Sequence, residues 1–267
     1  MSELQQFAEL CEAAARAGGR VLCEWRERFS VREKAPRDLV TQADIASQAA
    51  IETMVRESYP SHAFVGEEGA ADDLAPTAEY RWLVDPLDGT ANYVHGLRPY
   101  GVSVALARGN DVLVGTVFDP THDECFTAQR GEGAVLNGRR LRTSSCRRLS
   151  EALVACSFSA NVHRESPEIS RFLDVVVESQ SLRRLGSAAL NLCYLAAGQL
   201  DAYWTTNAQC WDVAAGLLLL QEAGGVITSV DGLPLVLDRP HLLAAATPEL
   251  HAELLGVLQR SDRSRTA

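Results

Sequence analysis

Apolar residues recur at helical spacing in the first part of the chain. Phe7, Leu10 and Ala14 fall on one face of a helix, which predicts a long amphipathic helix over residues 4–29. A second helix is predicted over residues 42–58. It ends shortly before a proline, since the residue before a proline disfavours the helical conformation.

Short apolar runs bounded by turn residues predict strands in the remainder. In the N-terminal half, strands are predicted at 30–34 and 63–66, with loops at 35–38 and 69–79, and Asn137-Gly138 marks a tight turn. Further predicted strands are 102–107, 112–118, 124–128, 152–156, 181–185, 201–205, 225–229 and 242–246, and further predicted helices are 167–179, 187–198, 211–223 and 248–259.

The change from a β-rich pattern to alternating strands and helices divides the chain near residue 145. The alternation predicts a mixed α/β (α+β) fold in which helices cover a central sheet. No flexible linker marks the division, so we expect 1–145 and 146–267 to pack as one compact unit. The tail 260–267 is polar and is expected to fray.

The composition is that of a soluble globular protein with an acidic surface. Hydrophobic residues make up 46% of the 267 residues, charged residues 22%, and the formal net charge is −10. This balance argues against nucleic acid as the main partner, because binding the phosphate backbone needs a basic surface. It is compatible with carboxylates that hold cations.

The chain shows no targeting or membrane signal. Its first residues lack the basic and apolar regions of a secretory signal, and the apolar run 213–220 is too short to span a bilayer. The seven cysteines form no C-x-x-C pair and are expected to be reduced, packed thiols. These features predict a cytoplasmic protein without a membrane partner.

The segment 82–90 carries the strongest chemical signal. An apolar run with strand character leads into Asp85 and Asp88, and a Gly89-Thr90 pair that can open a helix follows. Mg²⁺ prefers oxygen ligands and is commonly held by a few carboxylates together with water and substrate phosphate. A helix N-terminus favours a phosphate group. The segment therefore offers both halves of a metal-assisted phosphate site.

Three other segments place acids at the end of an apolar element. Asp44 and Asp212 could each cap the helix that they begin, and Glu67 with its neighbour Glu68 could belong to a solvated loop. Lys34 is compatible with a role near these acids or with a solvated strand end. The six histidines share no spacing typical of metal ligands.

Taken together, the four acidic segments resemble the magnesium-dependent inositol monophosphatase family. That family combines D-x-V-T-x-x-D, G-E-E, D-P-[ILV]-D-G-T-x-N-[FY] and W-D-x-A-A-G followed by E-A-G-G. This chain has Asp38-Leu39-Val40-Thr41-Gln42-Ala43-Asp44, Gly66-Glu67-Glu68, Asp85-Pro86-Leu87-Asp88-Gly89-Thr90-Ala91-Asn92-Tyr93, Trp211-Asp212-Val213-Ala214-Ala215-Gly216 and Glu222-Ala223-Gly224-Gly225. The resemblance implies a layered α-β-α-β-α sandwich of the inositol monophosphatase/fructose-1,6-bisphosphatase type.

The resemblance also implies hydrolysis of a phosphate monoester and roles for individual residues. An attacking water would lie between a metal and Thr90, with Glu67 or Asp44 as proton acceptor, and the N–H groups of Gly89 and Thr90 would hold the phosphate. Asp44 would also serve a further, weaker metal. Lithium sensitivity and a homodimer are typical of the family. Two or three Mg²⁺ ions would be held by Glu67, Asp85, the carbonyl of Leu87, Asp88 and Asp212.

Substrate choice is the weakest part of the resemblance. Gly186, Ser187 and Ala188 fit the region that contacts the polyol in inositol-hydrolysing relatives, as does Asp212. Those relatives usually have a glutamate where this chain has Thr205, so a charge-assisted hydrogen bond to the ring is absent.

The leading hypothesis is hydrolysis of inositol 1-phosphate to inositol and phosphate. The alternatives are phosphatases for fructose 1,6-bisphosphate, histidinol phosphate or 3′-phosphoadenosine 5′-phosphate. A regulatory member of the family that binds protein or RNA is a competing hypothesis.

Overall fold

The first helix, α1 (Glu3–Trp25), forms where the apolar periodicity predicts it. Its N-cap Ser2 accepts a hydrogen bond from the N–H of Gln5 (3.2 Å). The helix ends before residue 29, because a tight turn closes where the N–H of Arg28 bonds the carbonyl of Trp25 (3.0 Å). The structure is a computed structural model that describes residues 2–69, 78–158 and 161–263, so most of the predicted loop 69–79 lies outside the described residues.

A seven-stranded sheet occupies the N-terminal half. Its strands follow one another in chain order, with β3 parallel to β4 and every later neighbour antiparallel. The strands are β3 (Ala63–Gly66), β4 (Arg81–Asp88), β5 (Gly101–Arg108), β6 (Asp111–Asp119), β7 (Glu124–Gln129), β8 (Gly133–Leu136) and β9 (Arg139–Arg140).

A five-stranded mixed sheet occupies the C-terminal half, in the order β11-β10-β12-β14-β13. The central strand β12 is parallel to β10 and antiparallel to β14. The strands are β10 (Leu153–Ser157), β11 (Ser181–Arg183), β12 (Ala202–Thr205), β13 (Val226–Ser229) and β14 (Leu242–Ala245).

The remaining helices fill three layers around the two sheets. Helix α2 packs beside α1 outside the seven-stranded sheet, α5 and α6 lie between the sheets, and α4 and α7 cover the five-stranded sheet. This arrangement confirms the predicted α-β-α-β-α sandwich. The helices are α2 (Gln42–Ser58), the short α3 (Thr90–His95), α4 (Pro167–Glu178), α5 (Ala188–Ala196), α6 (Cys210–Glu222) and α7 (Pro248–Arg263).

Strand β4 shows how alternation builds these layers. Trp82 and Val84 pack into the apolar cluster with α1 and α2, whereas Leu83 packs into the cluster with α5 and α6. The middle cluster also contains Leu218 of α6 and therefore draws on both halves of the chain. The domain boundary near residue 145 stays a prediction. None of the described helices is long and apolar enough to span a membrane.

One local prediction was incomplete and another was wrong. The predicted loop 35–38 is present as the turn of a hairpin, with Arg37 in the left-handed conformation (φ 66°), but the second strand of that hairpin was not predicted. The two strands are β1 (Val31–Ala35) and β2 (Asp38–Thr41). The prediction that the tail frays was wrong for residues 260–263, which belong to helix α7, since two guanidinium N–H groups of Arg171 bond the carboxylate of Asp262 (2.9 and 2.8 Å). The rest of that tail, 264–267, lies outside the described residues. Both segments are mostly polar and give no apolar pattern.

Candidate active site

Two buried carboxylates mark the end of strand β4. Asp85 is 3% exposed and Asp88 is 8% exposed. Residues three apart would face opposite sides of a regular strand. The pairing of β4 with β5 contains a bulge between Asp85 and Asp88, where Asp85 pairs with Ser103 and Asp88 with Gly101. The extra residue turns both carboxylates toward the same cleft.

The cleft carboxylates disfavour one another's ionisation. Burial raises the pKa of Asp85 well above its ordinary range, and the charges of Glu67, Asp88 and Asp212 raise it further. The pKa of Asp212 is likewise raised well above its ordinary range by burial and by the charges of Asp88 and Glu67, although a backbone hydrogen bond from Gln209 opposes the change. These effects show that the four acids share one electrostatic environment.

The first turn of α5 holds the carboxylate of Asp88. The hydroxyl of Ser187 donates to it, as do the N–H groups of Ala188 (3.1 Å) and Ala189 (2.7 Å). Burial raises the pKa of Asp88 to about 6, although these three bonds favour the ionised form and lower it. Ser187, predicted to contact the substrate, is buried and has its hydroxyl directed at Asp88, so a direct contact with substrate stays a prediction.

Asp44 combines a capping role with a link to Thr90. The N–H of Thr41 donates to Asp44 (2.9 Å), which completes a capping box at the start of α2. The hydroxyl of Thr90 contacts both the other oxygen of Asp44 (3.2 Å) and the carbonyl of Leu87 (3.0 Å). Burial raises the pKa of Asp44, as does the charge of Glu67, while the bonds from Thr41 lower it. Asp44 therefore both caps helix α2 and belongs to the candidate site.

Glu67 follows β3 and is paired with a lysine from the β1–β2 hairpin. The ammonium group of Lys34 donates to Glu67 (2.8 Å) and to Glu68. Gln48 of α2 fixes this segment by accepting from the N–H of Glu68 (2.9 Å) and donating to its carbonyl. Of the two interpretations of Lys34, the structure therefore supports a role near the acids.

Asp212 enters the cleft from the first turn of α6. Its carboxylate accepts from the N–H of Gln209 (2.8 Å), so it also caps its helix. The hydroxyl of Ser103 on β5 donates to the carbonyl of Trp211 (3.1 Å) and ties this helix start to the seven-stranded sheet. The acids of the cleft thus come from both halves of the chain.

Gly89 has a backbone reason to be glycine. Its φ is 94°, a left-handed conformation that residues with a Cβ rarely adopt. A Cβ at this position would also lie 3.1 Å from the carbonyl oxygen of Pro99 and 3.2 Å from the Cβ of Tyr100. The sequence argument, that a side chain would obstruct the phosphate, stays a prediction. The structure adds strain and packing as independent reasons.

A pocket of about 170 Å³ opens beside Asp88 and Asp212. Gly186, Ala188 and Thr205, which were predicted to contact the substrate, line it, although Thr205 is only 1% exposed. Arg184 and Asn207, which belong to the two segments predicted to choose the substrate, also line it. Ser157 and Phe158 complete this part of the wall and were not predicted.

Asn92 is a further residue of the site for which no role was predicted. Its side-chain amide donates to the carbonyls of Pro99 (2.7 Å) and Leu185 (2.8 Å). It thereby joins α3 to the chain just before Gly186. Its place in the motif at 85–93 was the signal that could have identified it.

A separate acidic group lies at the turn between β6 and β7. Among the described residues, three side chains of ligand type meet within 4.8 Å only at Asp119, His122 and Glu124. The group contains a single histidine, so it does not contradict the prediction that the histidines share no metal-ligand spacing. Asp119 already accepts from the N–H (2.7 Å) and hydroxyl (2.6 Å) of Thr121, which accounts for it as a turn residue.

The cleft residues fit a divalent cation. Their ligand atoms are carboxylate and carbonyl oxygens, which Mg²⁺ prefers. The raised pKa values of Asp85, Asp88 and Asp212 reflect burial and mutual repulsion, and bound cations relieve that repulsion. Among the described residues, no three cleft carboxylates converge within 4.8 Å.

A five-layer sandwich with buried carboxylates around a small pocket defines a phosphomonoesterase of the type that uses metal ions. The chain belongs to the inositol monophosphatase family, whose sequence profile matches residues 3–263. The predicted family resemblance is therefore confirmed.

Named relatives span nearly the whole chain. The Nus factor SuhB of Pseudomonas aeruginosa is 38% identical over 251 residues, which covers 91% of this chain and 93% of the relative. The fructose-1,6-bisphosphatase/inositol-1-monophosphatase of Aquifex aeolicus is 38% identical over 237 residues, covering 86% and 88%. The inositol monophosphatase of Anabaena (Nostoc) superimposes with a TM-score of 0.87 at 34% identity, covering 97% of each chain.

One structure of the same fold is described as an IMPase/NADP phosphatase complexed with Mg²⁺ and phosphate. It is 25% identical to this chain, with a TM-score of 0.85 and coverage of 96% of each chain. Structures of this family therefore include complexes with Mg²⁺.

Proposed function

We propose that this protein hydrolyses small phosphorylated polyols or sugars, inositol 1-phosphate among them, with Mg²⁺ as cofactor. The observation that carries the proposal is the group of mutually repelling acids, Glu67, Asp85, Asp88 and Asp212, beside a pocket of substrate size. Such an arrangement is costly for stability, so it is expected where bound cations are part of the function.

The cation ligands in this proposal are the four cleft acids and the carbonyl of Leu87, with two or three ions bound. When bound, Mg²⁺ would lower the pKa of a water molecule that it coordinates and would neutralise part of the charge on the phosphate. Asp88 is positioned for this role by its three hydrogen bonds from α5. Lys34 balances part of the negative charge by its pairing with Glu67.

The chain's own route for a proton runs from Thr90 to Asp44. The Thr90 hydroxyl has one proton, which it can direct at Asp44 (3.2 Å) or at the carbonyl of Leu87 (3.0 Å). When the proton is directed at Asp44, the hydroxyl oxygen can accept a hydrogen bond from an attacking water and pass a proton on to Asp44. The raised pKa of Asp44 suits this carboxylate to accept a proton. Glu67 is instead engaged in an ion pair with Lys34 (2.8 Å). We therefore assign the acceptor role to Asp44 and water orientation to Thr90.

The phosphate group of the substrate is assigned to the N–H groups of Gly89 and Thr90, where α3 begins. Positioned donors at this point would stabilise the charge that the phosphate oxygens carry in the transition state. The polyol or sugar is assigned to the pocket lined by Gly186, Ala188 and Thr205. Asp212 would contact both substrate and metal.

Three further properties complete the proposal. Lithium would inhibit by competing at a metal position, and the enzyme would act in the cytoplasm. It would act as a homodimer. Helix α4 exposes Leu173 (55%) and Val177 (82%), a surface that a second subunit would cover.

The test is phosphate release from a panel of substrates: inositol 1-phosphate, fructose 1,6-bisphosphate, histidinol phosphate and 3′-phosphoadenosine 5′-phosphate. Each is assayed with Mg²⁺, with chelator and with added Li⁺. The proposal predicts turnover that needs Mg²⁺, stops in chelator and falls with Li⁺. No turnover of any substrate by folded protein with bound Mg²⁺ would contradict it.

A second candidate function is partner binding in addition to catalysis. One relative is named a Nus factor, and a run of arginines at 139, 140, 142, 147 and 148 is exposed. Arg147 and Arg148 form long ion pairs with Glu249 (3.7 Å) and Glu151 (3.9 Å), which reduces their free charge. Fluorescence anisotropy with a labelled single-stranded RNA at increasing salt tests this candidate. Anisotropy unchanged at low salt would exclude RNA as the partner.

A further inference from the structure

Three buried side chains on one face of helix α2 reach different parts of the cleft. Ser47 and Gln48 follow Asp44 by three and four residues, so all three project from the same side of the helix. Asp44 contacts the hydroxyl of Thr90, and Ser47 donates to the carbonyl of Pro86 (3.0 Å), between the two aspartates of β4. Gln48 reaches the segment after β3. One turn of helix therefore contacts both strand ends that carry the cleft acids.

The carboxamide of Gln48 continues the hydrogen bonding of the sheet past the end of β3. Pairing with β4 ends where the N–H of Glu67 bonds the carbonyl of Val84 (3.1 Å). At the next residue, Gln48 accepts from the N–H of Glu68 (2.9 Å) and donates to its carbonyl. A side-chain amide can do this because it offers a donor and an acceptor, as a peptide group does. The direction in which the Glu67 side chain leaves the backbone is therefore fixed.

Gly66 is the residue that lets this amide approach the backbone. A Cβ at this position would lie 2.3 Å from Oε1, 2.5 Å from Cδ and 2.9 Å from Nε2 of Gln48. These distances are too short for non-bonded atoms, so a side chain here would displace the amide. Gly66 is the last residue of β3 and has no positive φ. The reason for glycine is therefore space for Gln48 and not a special backbone conformation.

Lys34 acts on the same segment in a different way. Its ammonium group contacts the carboxylates of Glu67 (2.8 Å) and Glu68, which lie at the ends of flexible side chains, and it comes from the exposed strand β1. Gln48 instead bonds backbone atoms and belongs to a helix that packs against α1. Lys34 therefore balances charge, whereas Gln48 fixes the backbone from which Glu67 projects.

We propose that Gln48 is a positioning residue that sets the affinity of the cleft for Mg²⁺. It holds the backbone beside Glu67 while its own helix bonds the end of β4, so it fixes the position of Glu67 relative to Asp85 and Asp88. This inference rests on the proposed function, in which these carboxylates hold the cations. Groups that orient metal ligands typically contribute about 10- to 100-fold in metal affinity.

The test compares Gln48→Met with wild-type protein. Methionine has a similar length and tolerates burial, but it has no N–H donor and only a weak acceptor. Isothermal titration calorimetry of Mg²⁺ into metal-free protein gives the dissociation constant without any substrate. In the variant this constant should rise about 10- to 100-fold. The Mg²⁺ concentration for half-maximal phosphate release from inositol 1-phosphate should rise in parallel, with little change in KM at saturating Mg²⁺.

Ile51→Val is the control for a general loosening of α2. Ile51 lies three residues after Gln48, is fully buried and packs in the apolar cluster with α1. The smaller side chain should lower the urea midpoint in chelator, because it leaves a cavity. It leaves the contacts of Gln48 in place, so the dissociation constant for Mg²⁺ should stay at the wild-type value. An equal loss of Mg²⁺ affinity in Ile51→Val and Gln48→Met would overturn the proposal.

Gly66→Ala tests the same contact from its other side. The added Cβ should displace the amide and raise the dissociation constant about as much as Gln48→Met does. Because both changes remove the same hydrogen bonds, the double variant should bind Mg²⁺ no more weakly than the weaker single variant. Additive losses would show that the two residues act independently and would contradict the inference.

Mg²⁺ binding separates this inference from the proposed function. Wild-type protein that binds no Mg²⁺ would overturn both. Wild-type protein that binds Mg²⁺ with the same dissociation constant as Gln48→Met would overturn this inference and leave the proposed function intact.

Discussion

Because the carboxyl of Asp88 is buried, we predict that in the presence of chelator the free energy of unfolding falls as the pH rises from about 4 to about 6. In the folded state burial raises its pKa to about 6 from an ordinary value of 3.8. The folded protein therefore binds this proton more tightly than the unfolded chain does. The stabilisation by protonation is fully present below the unfolded pKa and is lost as pH rises through the folded pKa.

The magnitude follows from the same values. A rise of the pKa from 3.8 to about 6 corresponds to about 3 kcal/mol for a buried group. The pKa values of Asp85 and Asp212 are raised in the same direction, so the total loss should not be smaller. Mg²⁺ competes with these protons. The stabilisation by Mg²⁺ should therefore increase with pH.

The assay is urea unfolding followed by tryptophan fluorescence, since Trp82 and Trp204 are fully buried. Curves are measured from about pH 4 to pH 7.5, with chelator and with Mg²⁺. Asp88→Asn should reduce the slope of the free energy of unfolding against pH by up to about 1.4 kcal/mol per pH unit. Asp123→Asn, at a side chain that is 83% exposed, controls for the lost charge. Equal slopes in wild type and Asp88→Asn would refute the reasoning.

Three other predictions concern single residues. Thr90→Val should lower kcat about 10²- to 10⁴-fold with the fold intact, because the relay hydroxyl is lost, whereas Thr90→Ser should keep most activity; equal rates for the two variants in phosphate release would contradict the relay. Gly89→Ala should destabilise by about 1–3 kcal/mol in urea unfolding. It should cost more than Gly131→Ala, where φ is also positive (82°) but a Cβ would meet nothing within 4 Å; equal costs would show that the contact with Pro99 is unimportant. Thr205→Glu should shift kcat/KM toward inositol 1-phosphate relative to fructose 1,6-bisphosphate, and an unchanged profile would place polyol selection elsewhere.

The acids of the cleft could be predicted because each follows a recognisable apolar element. Asp85 and Asp88 end a strand, and Asp44 and Asp212 begin helices, so local pattern was enough to nominate them. Their common orientation could not be predicted. It depends on a bulge against Ser103, which only the pairing with β5 reveals.

The hydrogen-bond and ion-pair partners of the site residues could not be predicted from local sequence pattern either, for a similar reason. Asp88 receives its hydrogen bonds from Ser187 and its neighbours, about a hundred residues away in sequence. The pairing of Lys34 with Glu67 needs the hairpin to fold over the end of β3. The first hairpin strand is exposed throughout, and the second has only four residues, of which Thr41 alone is buried, so no hydrophobic period indicated the second strand.

The central claim is that the cleft acids bind Mg²⁺ for phosphate-ester hydrolysis. The most direct test is phosphate release from inositol 1-phosphate and fructose 1,6-bisphosphate as Mg²⁺ is titrated into chelated wild-type protein and Asp85→Asn. The account predicts release that begins only with Mg²⁺ and falls at least about 100-fold in the variant, because one ligand charge is lost. Release that persists in chelator, or that Asp85→Asn leaves unchanged, would contradict it.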